Sequence, residues 1–208
     1  MLKINNLKKH YGTLLALNIP HLEFQENIYW IKGQNGSGKS TLLKCLAGLL
    51  SFNGDVLFDN TSLKKKPENY LQLVNYSPTE PIYPDFLIGY HLLDFFVKSK
   101  NTKIDYVIPM IKCFDMEEYI YDQPISQYSS GMLKKLSILL AFAGNVKLVL
   151  LDEPYITLDL EASAFLSDWI CQFKKNNGII IMTSHLDSLP FPAKEIQLNK
   201  GIIVKSKV

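Results

Sequence analysis

Apolar and polar residues alternate through residues 2–32, with Leu2 and Ile4, then Leu15, Leu17 and Ile19, then Leu22 and Phe24. A period of two belongs to half-buried strands, so the pattern predicts short antiparallel strands there. Ile28-Tyr29-Trp30-Ile31 breaks the alternation: it is continuously apolar, β-branched and aromatic, as in a fully buried strand. Residues 41–47 read as a helix, and 54–60 as another strand closed by a polar turn. From about Pro78 to Asn145 the spacing turns helical, but Pro78, Pro81, Pro84, Pro109 and Pro124 cut it into pieces. That stretch predicts an inserted helical subdomain over approximately residues 80–145. Within it, residues 86–97 are apolar on more than one face, which implies either deep burial or a docking surface for a partner.

Helix and strand patterns then alternate: helix 132–143, strand 147–151, helix 161–175, strand 178–183, and a hairpin of 195–198 with 202–204 around Asn199-Lys200-Gly201. Apolar strands alternating with helices make an α/β fold with a mostly parallel sheet covered on both faces, whose ligands gather at the strands' C-terminal ends. No linker or repeat divides the chain, so residues 1–208 are expected to form one domain, an N-terminal antiparallel β subdomain included. With the closing hairpin at its end, the chain is expected to carry no added regulatory domain.

A chain of 208 residues can bury a core without staples. Cys45, Cys113 and Cys171 are odd in number and never spaced Cys-x-x-Cys, which argues for free thiols in a reducing cytosol and against a disulfide framework or a zinc site. No apolar run approaches the ~18 residues of a membrane span, so the chain is expected to be soluble by itself. A net charge of +2 gives no electrostatic case for a nucleic-acid partner. All 22 basic residues are Lys, so this chain supplies no arginine finger.

The densest chemistry is Gly33-Gln34-Asn35-Gly36-Ser37-Gly38-Lys39-Ser40-Thr41, a phosphate-binding loop set between a predicted strand and a predicted helix. Its glycines let successive N–H groups turn toward phosphate oxygens, and the next helix adds its electropositive N-terminus. Lys39 supplies charge for the β and γ phosphates, and the Ser40 hydroxyl suits Mg²⁺. Val149-Leu150-Leu151-Asp152-Glu153 ends an apolar strand in two carboxylates. Asp152 suits the metal ion, and Glu153 suits polarising an attacking water. His185, just past another buried strand, is placed to donate to a γ-phosphate. Tyr128-Ser129-Ser130-Gly131-Met132 opens a helix with small polar residues: a cap, or a second anion site.

This ordered set, with Asp159, resembles the ATP-binding cassette of ABC transporters over essentially the whole chain, which implies a P-loop NTPase core. The resemblance implies that Ser129, Gly131 and their neighbours are the signature loop, which reaches ATP held by a second cassette. It makes Asp159 part of the loop joining the two sites, His185 the switch histidine, and Tyr11 the aromatic that stacks on adenine. Thr79 stands where the family has a glutamine that contacts Mg²⁺ and the membrane subunit, with Glu80 beside it. Met132 replaces the usual glutamine of the signature, and Tyr155-Ile156-Thr157 replaces smaller residues.

The implied protein is a cytoplasmic ATPase that uses ATP and Mg²⁺, pairs with a second cassette in a homodimer, and sits on the inner face of the membrane through a membrane-spanning permease subunit. Its short length points to an export-type cassette, akin to the haem exporter of cytochrome c maturation. Rival readings are a soluble P-loop nucleotide kinase, a cassette acting on DNA or ribosomes, and a non-transport cassette that clamps on ATP with little turnover.

Overall fold

The computed structural model describes residues 1–104 and 107–206. The chain opens with β1 (Leu2–Tyr11) and β2 (Leu14–Phe24), antiparallel, with Leu2 opposite Phe24, Ile4 opposite Leu22 and Leu7 opposite Ile19. All six of these side chains are buried, so the alternation does place one face on a core. The strands are 10 and 11 residues long, longer than the short strands the sequence predicts. Asn5 and Asn18, at polar positions of the alternation, pair within the ladder opposite His21 and Lys8.

The chain continues through β3 (Ile28–Lys32), α1 (Lys39–Leu46), β4 (Asn53–Phe58), β5 (Thr61–Ser62), α2 (Pro67–Leu73), β6 (Val74–Ser77), α3 (Gly89–Ser99), α4 (Ile108–Cys113) and α5 (Ser130–Phe142). It closes with β7 (Leu148–Leu151), α6 (Leu160–Lys175), β8 (Ile179–Thr183), β9 (Lys194–Asn199) and β10 (Ile202–Ser206). Four strands form an antiparallel sheet in the order β2-β1-β4-β5, and six form a mixed sheet in the order β10-β9-β3-β8-β7-β6. In the second sheet every pairing is parallel except β9 with β10.

The unbroken apolar runs of the central strands serve two cores at once. Ile28, Val149, Leu151, Ile180 and Met182 pack with α5 and α6 on one face. Tyr29, Ile31, Leu148, Leu150, Ile179 and Ile181 pack with α1 and the antiparallel sheet on the other. Successive side chains of a strand point to opposite faces, so a strand between two cores has no polar side to show.

The sequence pattern misses α2 and β6, because the residue that caps α2, Val74, is already extended and starts the strand. No loop separates the two periods. The 86–97 segment is buried on one side only: Leu92, Leu93 and Val97 are buried, whereas Phe86 and Phe95 are 82% and 65% exposed. Among the described residues no helix is long and apolar enough to cross a membrane.

Buried Asn75 on β6 ties the end of α5 to the sheet, its Nδ2 donating to the carbonyls of Leu140 at 3.0 Å and Ala143 at 2.9 Å. Asn75→Leu keeps the branched shape, at a somewhat larger volume, but strips the Ala143 carbonyl of this donor, so urea unfolding should show a loss of about 2 kcal/mol. A loss below about 0.5 kcal/mol would mean that the bond contributes nothing beyond packing.

Candidate functional site

Register along the parallel strands builds the site. Ile31 pairs with Thr183, Leu151 with Met182 and Ser77 with Leu151, so β3, β8, β7 and β6 end nearly level. The residues just past the end of each strand are therefore delivered to one edge of the sheet: Gly33 to Lys39, His185, Asp152 with Glu153, and Thr79.

The loop after β3 is held by Ser37 N–H donating to the Gln34 carbonyl at 3.1 Å and by Gly201 N–H donating to the Ser37 carbonyl at 2.9 Å. Gly36 and Gly38 have φ of 76° and 104°, the left-handed region that side chains resist. At Gly38 a Cβ would also crowd its surroundings, 2.8 Å from Leu17 Cδ2 and 3.2 Å from the Ala16 carbonyl oxygen. The tight turn leaves the first N–H groups of α1 facing outward, and no acidic residue sits in that helix's first turn. Lys39, 9% exposed, folds over the loop and donates to the carbonyls of Gly33 at 2.8 Å and Gln34 at 3.2 Å.

Asp152 is buried at the end of β7 and accepts three hydroxyls: Thr183 Oγ1 at 2.7 Å and Ser40 Oγ at 3.1 Å on Oδ1, and Tyr76 at 3.3 Å on Oδ2. Burial and the adjacent carboxylate both push the Tyr76 phenol above its ordinary pKa, so it stays a proton donor here. Glu153 sits at φ 49°, an uncommon conformation for a residue with a side chain, and its N–H donates to Thr183 Oγ1 at 2.9 Å. One Glu153 oxygen accepts from the His185 N–H at 2.9 Å. The other, Oε1, is buried without a hydrogen-bond partner among the described residues, with His185 Nε2 at 3.5 Å.

These groups open on a cleft of about 620 Å³ lined by Tyr11, Asn35, Gly36, Gly38, Lys39, Ser40, Thr41, Thr79, Glu153 and His185. Leu14, Leu15, Ala16, Ile156 and Lys200 also line it. Leu15, which the alternation suggests for the core, is 43% exposed at this cleft, and Leu14 beside it is 66% exposed. Glu80 is exposed and outside the lining, so of the two residues at the glutamine position only Thr79 faces the cleft. Sequence reasoning missed Tyr76 and Thr183, the hydroxyls that orient Asp152.

Ser129, Gly131 and Asp159 lie elsewhere, on a second surface of the same chain. Ser129 caps α5, its Oγ accepting from Met132 N–H at 3.2 Å while its own N–H donates to Met132 Sδ at 3.4 Å. The thioether thus completes a capping box that usually needs Glu or Gln. Gly131 is held close to the loop before α6: a Cβ there would lie 3.0 Å from the Thr157 carbonyl. Asp159 caps α6, accepting from Ala162 N–H at 2.7 Å and pairing with Lys135 at 2.9 Å. The amide bond first, then the lysine, hold its carboxyl below the usual range.

A family model described as ABC transporter matches residues 20–156. The lantibiotic transport ATP-binding protein SrtF of Streptococcus pyogenes is 30% identical over 188 residues, covering 89% of this chain and 80% of that protein. The cytochrome c biogenesis ATP-binding export protein CcmA of Reclinomonas americana is 31% identical over 199 residues, covering 89% and 87%. A solved structure described as the ATP-binding subunit of an ABC transporter superposes with a TM-score of 0.90 at 22% identity, covering 99% of this chain and 89% of that one. An ATP-binding cassette solved as a dimer in a post-hydrolysis state with ADP and Pi superposes at 0.82 with 20% identity, covering 100% and 98%. A phosphate loop, a capped helix and an acidic strand end follow in this order, and with the family match and these relatives they place the chain in the ABC transporter family as one of its ATP-binding, ATP-hydrolysing cassettes.

Proposed function

We propose that the chain powers export through a separate membrane-spanning subunit, working as a homodimer that closes on two Mg·ATP. The carrying observation is the division of the site: the cleft gathers Lys39, Ser40, Asp152, Glu153 and His185, while Ser129, Gly131 and Asp159 share a different surface. Each copy then holds one half of the machinery, and a second copy supplies the other. Export is supported by the likeness to CcmA, a cytochrome c biogenesis ATP-binding export protein.

In the cleft, Tyr11, 48% exposed, offers its ring to adenine beside Leu14 and Leu15. Lys39 exchanges its loop carbonyls for the β and γ phosphates. Ser40 Oγ and Asp152 Oδ1, 3.1 Å apart, form the oxygen pair that a hard cation takes, so these residues would hold Mg²⁺, with the Thr79 hydroxyl a weaker third. Bound there, Mg²⁺ would neutralise charge on the phosphate oxygens. Glu153, which lines this cleft, would take a proton from water, and His185, its Nε2 3.5 Å from Glu153 Oε1, would reach from Glu153 to the γ-phosphate. The amides at Ser129 to Gly131 of the other copy would complete the cage around the γ-phosphate. Exposed Ile82, Phe86 and Phe95 form the apolar contact proposed for the membrane subunit, which would hold the cassette at the inner face of the membrane.

The test is assembly. Glu153→Gln, slow to turn over, should sediment as a dimer with Mg·ATP and as a monomer without it. Adding Ser129→Arg should abolish the dimer while each monomer still binds nucleotide. A monomer under all conditions would overturn the shared site.

A further inference from the structure

Lys134 on α5 is 1% exposed, and its Nζ donates to three backbone carbonyls: Pro78 at 2.8 Å, Thr79 at 3.2 Å and Asp152 at 3.2 Å. An ammonium has three N–H bonds and nothing to accept with, so this donor is fully used. Burying a cation against carbonyls alone is costly, and burial lowers its pKa to about 8 despite the charges of Asp152 and Glu153 nearby. The position therefore calls for more than packing.

The three carbonyls belong to two neighbouring walls of the cleft. The ladder between β6 and β7 ends with Ser77 beside Leu151 and the Asp152 N–H on the Ser77 carbonyl at 2.9 Å. Past that point the two strands diverge into the segment carrying Thr79 and the turn carrying Glu153. Lys134 takes over where the ladder stops, holding the main chain at Thr79 to the main chain at Asp152 from a third element.

We infer that Lys134 is a positioning residue for hydrolysis: it sets the spacing between the Thr79 segment and the Asp152-Glu153 turn, and with it the metal and water side of the cleft. The inference rests on the roles given above to Asp152 and Glu153. It assigns Lys134 no contact with nucleotide or metal.

Three variants test it. Lys134→Met keeps length and removes every donor; Lys134→Gln keeps two N–H bonds. Lys100→Met is the control, because Lys100 also donates to backbone carbonyls, those of Leu71 and Val74, but lies outside the cleft lining. For Lys134→Met, kcat should fall by about 10- to 100-fold and the Mg²⁺ concentration for half-maximal rate should rise about tenfold. Its Kd for fluorescent ADP in EDTA should stay at the wild-type value, and Lys134→Gln should fall between the two. Lys100→Met should lower Tm without moving kcat or the Mg²⁺ dependence.

A folded Lys134→Met with wild-type kcat and Mg²⁺ dependence overturns the inference, as does an equal shift in Lys100→Met. Should Lys134→Met not fold, Lys134→Gln decides: a half-saturating Mg²⁺ raised about threefold or more upholds the inference, and an unchanged one ends it. Asp152→Asn and Glu153→Gln are measured alongside. If they leave turnover intact, the site reading itself fails; if they abolish it while the Lys134 variants do not, only this inference does.

Discussion

Glu153→Gln is expected to lower steady-state ATP hydrolysis by about 10²- to 10⁴-fold while leaving ATP affinity close to wild type. The substitution is close to isosteric, so the glutamine carbonyl oxygen can still accept from the His185 N–H as Glu153 Oε2 does at 2.9 Å. What vanishes is a basic oxygen: Glu153 lines the cleft, and its Oε1 is buried with no hydrogen-bond partner among the described residues and His185 Nε2 at 3.5 Å. An amide at that position cannot take a proton, so binding survives and the chemical step does not. The left-handed φ of 49° at Glu153 argues the same way, since backbone strain at a side-chain-bearing residue is tolerated where it aims a functional group. Phosphate release under saturating Mg·ATP, with Kd from titration of a fluorescent nucleotide, checks both halves. A variant that turns over at near wild-type speed removes Glu153 as the base.

The parts of this site that depend on local spacing were legible in the sequence. Gly33 to Thr41 must succeed a strand and open a helix for its amides to converge, and Asp152-Glu153 must end a strand to reach the same edge; both constraints act within a dozen residues. Tyr76 and Thr183 were not legible, because each meets Asp152 from a strand 76 or 31 residues away and carries no motif of its own. Lys134 was hidden by its neighbour. The Lys134-Lys135 pair belongs to no motif, and the ~100° step between adjacent helix residues puts Lys134 on the Pro78, Thr79 and Asp152 carbonyls and Lys135 on Asp159. Apolar periodicity gave the strands their existence and not their role: Leu14 and Leu15 continue the strand pattern yet face the cleft, since β2 runs past the phosphate loop before it reaches the core. The join of α2 and β6 escaped for the converse reason, as two elements without an intervening turn leave no polar punctuation to read.

Lys39→Ala should weaken ATP binding by about 3 kcal/mol, or roughly a hundredfold in Kd, because two charge-assisted hydrogen bonds to the terminal phosphates are lost together. The fold should hardly notice. Among the described residues the Lys39 ammonium donates only to the Gly33 and Gln34 carbonyls, at 2.8 and 3.2 Å, at a cleft where water can replace it. The loop's shape is fixed instead by backbone bonds, Ser37 to Gln34 and Gly201 to Ser37, which the substitution leaves in place. That separation of roles gives the prediction a second arm. Lys39 acts on the β and γ phosphates, whereas adenine meets Tyr11, Leu14 and Leu15, so affinity for AMP should stay within about twofold while affinity for ATP collapses. Titration of wild type and variant with both nucleotides reads the difference directly. Equal losses for AMP and ATP would place the damage in the loop's folding, and unchanged affinity for both would move the terminal phosphates away from Lys39 altogether.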